Sequence, residues 1–143
     1  MELEKIEPFH TLGFRKEQVS AERVTISVPL TGNRNDKGTM FGGSVYSAMV
    51  LAGWKLCVEQ ARSLQLSGDV VVQGSSISFL RPMKTDLVAT AVARSTPGKT
   101  ARGNYAFNIS VSASDANGKT CAKFSGSYRL VGKKGKSSEA SAS

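Results

Sequence analysis

The sequence predicts an α+β domain in which a curved, mostly antiparallel sheet wraps one long buried helix. Three observations carry this. A glycine-rich turn, Asn35-Asp36-Lys37-Gly38-Thr39-Met40-Phe41-Gly42-Gly43, opens into a segment from Ser44 to about Leu64 that is apolar on almost every face through Val58. One period-two segment precedes it, and four strand-like segments follow it. A helix apolar all round must be buried, and strands in that order leave it a single sheet to pack on.

At 143 residues the chain is one domain, placed at residues 1–131, with a disordered Lys, Gly, Ser and Ala tail over 132–143. Residues 2–7 read as a short helix stopped by Pro8, with Phe9, Leu12 and Phe14 capping the edge of the core. Val24, Ile26, Val28 and Leu30 alternate with Thr25 and Ser27, so this strand buries one face. The polar loop from Thr31 to Asp36 delivers the chain to the glycine turn.

Ser44 can serve as N-cap of the helix, while Gly42 and Gly43 let the backbone pass close to a neighbour. The start of a helix offers unpaired N–H groups and the positive end of the macrodipole. It can hold a phosphate, a carboxylate or a developing oxyanion, so chemistry is expected there. Glu59, Gln60 and Arg62 mark where the later turns reach water.

Four strands follow: Val70 to Leu80, Leu87 to Arg94, Asn104 to Ala113 and Thr120 to Val131. Pro, Gly, Asn and Asp clusters separate them. Asn117-Gly118 signals a hairpin that makes the last two antiparallel neighbours. Tyr105, Phe107, Ile109 and Val111 share a face, as do Phe124, Tyr128 and Leu130, against Lys123, Ser125, Ser127 and Arg129 opposite. One face is apolar and the other wet.

The net charge is +8, and Lys133, Lys134 and Lys136 against Glu139 leave +6 to the residues before the tail. A basic body favours an anionic partner: nucleic acid, a phosphorylated cofactor or an acidic carrier protein. Nucleic acid has little else to recommend it, because the one long helix is buried and the wet face lacks stacking aromatics. The Val45 to Val58 run is too short to span a bilayer and contains Lys55, so no membrane association is expected. The acidic N-terminus lacks a signal-peptide core, and a cytoplasmic location is expected. Cys57 and Cys121 show no CxxC spacing and His10 is the only histidine, so no metal site is expected and both thiols read as buried.

The pattern Asn35-x-x-Gly38-Thr39-x-Phe41-Gly42-Gly43, with Phe79-Leu80-Arg81-Pro82 and Asp86-Leu87-Val88-Ala89, resembles the hot-dog fold of acyl-CoA thioesterases over about residues 20–131. Within that superfamily it looks most like the thioesterase domains fused behind a GNAT-type acetyltransferase in some bacteria. The resemblance implies that the loop and helix start bind an acyl thioester, on coenzyme A or on a carrier protein, with coenzyme A entering as part of the substrate and no other cofactor. It implies that Asn35 orients water or takes the place of the catalytic acid, that the N–H of Gly43 polarises the carbonyl, and that Gly42 allows close approach. It also implies a homodimer with sheets joined side by side, or two such dimers paired as a tetramer, with sites at the subunit interface.

Two positions depart from the family pattern. The usual His is Phe41, and Val50 stands where many relatives place an acid on the helix. Asp36 is the nearest replacement base, able to activate water if burial raised its pKa, or else a loop-forming Asx residue. Glu59 lies roughly 24 Å along the helix from Gly43, too far within one subunit. Met40 and Phe41, beside the glycine pair, are candidates to line an acyl pocket or to belong to the core. Arg81, Lys84, Arg94, Lys99 and Arg102 lie around two loops; Arg81 and Lys99 are the candidates for coenzyme A phosphates, with solvated surface charge as the other reading. Gln73, Ser75, Ser76 and Ser78 make the second strand unusually polar: a water-orienting group, a satisfied polar face or a dimer seam.

Thioester hydrolysis leads these readings. A non-catalytic acyl-CoA or acyl-carrier binding module comes second, favoured by the missing His and acid. Hydration or dehydration of a 3-hydroxyacyl thioester ranks last, since His10 is far from the glycine turn in sequence.

Overall fold

The computed structural model describes residues 2–132. The basic tail expected at the C-terminus lies, from residue 133, outside the described residues. A 3-10 turn at Leu3–Lys5 leads into α1 (Glu7–Thr11), then β1 (Arg15–Val19), β2 (Val24–Val28), α2 (Gly42–Ser63), β3 (Asp69–Phe79), β4 (Leu87–Ala93), β5 (Gly98–Lys99), β6 (Tyr105–Ser114) and β7 (Thr120–Val131). The strands form one antiparallel sheet in the order β1-β2-β4-β6-β7-β3, with β5 beside β6. The hairpin expected at Asn117-Gly118 joins β6 and β7, with Gly118 at φ +83°. The Asp115 side chain accepts from the backbone N–H groups of Asn117 and Lys119.

Three local expectations change. Pro8 sits in the first turn of α1 and starts it, because the N–H that proline lacks would be unpaired there anyway. The N-cap of α2 is Phe41, so both glycines belong to the first turn and Ser44 is buried inside it. The strand β1 was not foreseen, since all five of its side chains are exposed and show no alternation.

The apolar faces of β2, β4, β6 and β7 pack on α2, which is about 33 Å long. Small residues on the helix set the approach. A Cβ at Gly53 would collide with the hydroxyl of Tyr128, a fully buried side chain that donates to the carbonyl of Val50 at 2.8 Å. Burial pushes the Tyr128 pKa up, so the phenol stays protonated and keeps this hydrogen bond. Lys55 is buried on the same helix and pairs with Glu59 at 3.0 Å and Glu2 at 3.9 Å, which ties the N-terminal turn to the core.

Candidate active site

The site is built on the segment between β2 and α2. Asn33 anchors it: its side-chain amide donates to the carbonyls of Leu12 and Pro29 at 2.8 and 2.9 Å, and its own carbonyl accepts from the N–H of Phe41 at 2.7 Å. From there the chain doubles back, with Arg34 bridged to Met40 and the Met40 N–H on the carbonyl of Met83 at 2.8 Å. Asn35 closes the loop between them. Its Oδ1 accepts from the N–H groups of Lys37 and Thr39 at 2.9 and 3.1 Å, and its Nδ2 donates to Thr39 Oγ1 at 2.9 Å. Two hydrogens sit on that nitrogen, so one remains for a molecule in the cleft.

The loop delivers the chain to the start of α2. The N–H groups of Ser44 and Val45 both bond the Phe41 carbonyl, at 3.0 and 3.2 Å. Those of Gly42 and Gly43 donate to no other described residue. The exposed ring of Phe41 folds over Gly43, where a Cβ would collide with it. Unpaired donors at the positive end of a 22-residue helix are a place where negative charge is stabilised.

A cleft of about 450 Å³ opens beside these donors. Asn35, Thr39, Met40, Gly42 and Val45 form one wall; Phe79 to Met83, with Cys121 and Ala122, form the other. Arg81 is held at the rim by a hydrogen bond from its guanidinium to the Thr120 carbonyl. Burial, with help from the charge of Asp115, pushes the Cys121 thiol up, so it lines the cleft as a protonated, weakly nucleophilic group.

The structure thus brings Asn35, Met40, Gly42 and Arg81 together, with Gly43 and Phe41 alongside. Asp36 stands outside the cleft at the loop tip, its side chain 84% exposed and 3.5 Å from the Lys37 ammonium. Lys99 also stands apart. It pairs with Tyr105 at one end of β6, whereas Arg81 lies by Thr120, beside Ser114 at the other end, about 30 Å away along the strand. Sequence reasoning missed Thr39, Val45, Met83 and Cys121 as lining residues. The turn at Arg81-Pro82 was the available signal for Met83, because it must fold back onto the element that ends the strand. At Val50 the side chain is apolar and half-buried, so no carboxylate occupies that point.

Residues 5–132 match the family model described as "Putative thioesterase (yiiD_Cterm)". Among solved structures, the chain is similar to the putative thioesterase from Shewanella oneidensis at 26% identity, with a TM-score of 0.78 and 90% of each chain covered. A probable thioesterase of Pseudomonas aeruginosa is 24% identical, with a TM-score of 0.71 over 89% of this chain and 88% of that one. The E. coli PaaI protein from the phenylacetic acid degradation operon is 22% identical, with a TM-score of 0.73 over 88% and 85%. At those identities the last two bear on the fold alone, and the fold is the hot-dog fold.

Proposed function

The chain belongs to this thioesterase family, and we propose from that premise that it hydrolyses an acyl thioester, with acyl-CoA as the substrate, in the cleft beside Gly42 and Gly43. The observation that carries the reading is the pair of unpaired helix N–H groups against an apolar cleft. Water adds to the thioester carbonyl carbon, and the electron pair displaced from the C=O bond becomes an oxyanion. The Gly43 N–H receives that charge, a contribution of about 3 kcal/mol for one such donor. Collapse breaks the C–S bond, and the thiolate takes up the proton lost by water to give carboxylic acid and free thiol.

Asn35 positions the water through its remaining amide hydrogen while its other contacts hold the loop. Met40, Val45, Phe79 and Met83 receive the acyl group. Asp36 is the carboxylate of the loop, and it serves as base when a second subunit covers it.

That subunit joins at β3. No described residue pairs with the outer edge of this strand, and Val71, Val72, Phe79 and Leu80 are exposed along it. Two-fold pairing of one strand with its own copy is antiparallel, so the start of β3 meets the end of the partner's β3. Arg81, held at the rim of the cleft, supplies a cation for the phosphates of coenzyme A.

A binding module without turnover is the second reading, favoured by Val50 in the acid position and by Phe41 in place of His. Free-thiol release from a panel of short, long and aromatic acyl-CoAs separates the two. Hydrolysis requires release by the wild type and a fall of about a hundredfold in a folded Asn35→Ala variant. Binding of acyl-CoA without any release establishes the module.

A further inference from the structure

The outer face of the sheet, turned away from α2, carries a second recess that thioester hydrolysis does not use. It has a volume of about 540 Å³ and is lined by hydroxyls and cations, among them Ser78, Thr90, Ser112, Lys123 and Arg23. The strand register arranges the hydroxyls in rows. Ser78 of β3 faces Lys123 of β7, Lys123 faces Ser112 of β6, and Ser112 faces Thr90 of β4. In the next row Ser76 faces Ser125 and Ser125 faces Ser110.

Neighbouring strands lie about 4.8 Å apart, so hydroxyls on adjacent strands can both reach one oxygen-bearing group seated between them. Lys123 lies between Ser78 and Ser112 in the first row. Arg23 enters from the turn before β2. A third cation, Arg94, lies across β7 with its guanidinium on Ser125 Oγ at 3.1 Å.

Apart from the Arg94–Ser125 pair, these groups are not serving one another. Ser76, Ser78, Thr90, Ser110 and Ser112 make no side-chain hydrogen bond to another described residue, and neither Arg23 nor Lys123 is ion-paired among the described residues. Among the described residues, no acidic side chain lines the recess. Glu17, on the far side of this face, is taken up by Ser27 Oγ at 2.6 Å and by Arg15 at 3.8 Å. Cations and hydroxyls converging in one recess without a counter-charge match a ligand rich in anionic oxygens.

We propose that this recess binds a small phosphate-bearing molecule, with Lys123 and Arg23 contributing charge and the serine rows contributing hydrogen bonds. The site is separate from the cleft, because Ser78 and Lys123 point to the opposite face of the sheet from Phe79 and Ala122.

Titration of the 15N-labelled full chain with inorganic pyrophosphate, followed by backbone amide shifts, tests this. The expected result is saturable shifts centred on Ser76, Ser78, Ser112 and Lys123. In Lys123→Glu and Arg23→Glu, affinity should fall about tenfold or more, the scale of one charge-assisted contact, while the rest of the spectrum and thiol release stay as in the wild type. Coenzyme A as a second titrant separates the sources: shifts at Gly42 and Gly43 without the recess, beside pyrophosphate shifts within it, assign an independent ligand, and coenzyme A shifts in the recess as well overturn a site separate from the cleft.

Absence of saturable shifts in the recess, or shifts of equal size in both charge-reversed variants, overturns the proposal. So does sedimentation showing that Ser112→Trp dissociates the wild-type assembly, since a second copy would then cover this face.

Discussion

The two edges of the sheet are built to opposite ends. β1 is short and charged: Arg15, Lys16 and Glu17 occupy three of its five positions, and its register shifts between Lys16 and Gln18 as that of β3 does between Val72 and Gly74. Its ion pairs stay within the chain, Lys16 to Glu4 of the N-terminal turn at 2.6 Å and Arg15 to Glu17 at 3.8 Å. β3 has eleven residues, no charged side chain after Asp69, and exposed Val71, Val72 and Phe79. Charge keeps an edge solitary, whereas a long uncharged edge is open to pairing. The cleft opens at the end of β3, not of β1, so the uncharged edge is the one beside the site.

The largest expected effect comes from making β3 resemble β1. Val72→Lys should weaken self-association by at least about a hundredfold, because it buries an unpaired ammonium at the seam. Sedimentation across a concentration series measures this, and circular dichroism shows that the monomer is folded. A lesion in the core should separate stability from assembly. Gly53→Ala drives a methyl into the Tyr128 hydroxyl and should cost about 1–3 kcal/mol in denaturant unfolding, while the folded protein keeps its oligomeric state.

The same kind of change in β1 should do little. Glu17→Ala removes an exposed pair and should shift stability by no more than about 0.5 kcal/mol, with sedimentation unchanged. The smallest effect concerns pH. Lys16 lowers the Glu4 pKa, chiefly through their hydrogen bond, and Glu4 in turn raises that of Lys16. The contribution of a depressed carboxyl is present above its unfolded pKa and lost as pH falls through the folded value. A slight loss of stability below the usual carboxylate range, reduced in Glu4→Gln and in high salt, is expected in acid unfolding curves.

The same contrast governs what the sequence disclosed. α2 and β2, β4, β6 and β7 were legible because each buries one side or all sides, and burial writes periodicity into residue type. β3 was legible through Val70, Val71 and Val72 and the Arg81-Pro82 stop, and its polarity was visible but not its meaning, since register alone separates Ser75, bonded to Tyr46 at 2.5 Å, from Ser76 and Ser78 on the outer face. β1 buries nothing and left no pattern. In the site, Gly42 and Gly43 stood out because a glycine pair at a helix start needs a reason. Lys99 and Arg81 looked alike as loop cations, yet they sit at opposite ends of β6; residue type does not encode which end of a sheet a loop reaches. Asn33 was unremarked, being one more loop asparagine until its four backbone partners are seen.

The measurement that bears most directly on the account is free-thiol release from acyl-CoA by wild type and by Val72→Lys at matched concentration. Turnover by a wild-type assembly and a loss of about a hundredfold or more in the folded monomer, whose Asp36 remains in water, are expected. Full turnover by the monomer would contradict the shared site, and absence of release by a wild-type dimer that binds acyl-CoA would contradict hydrolysis itself.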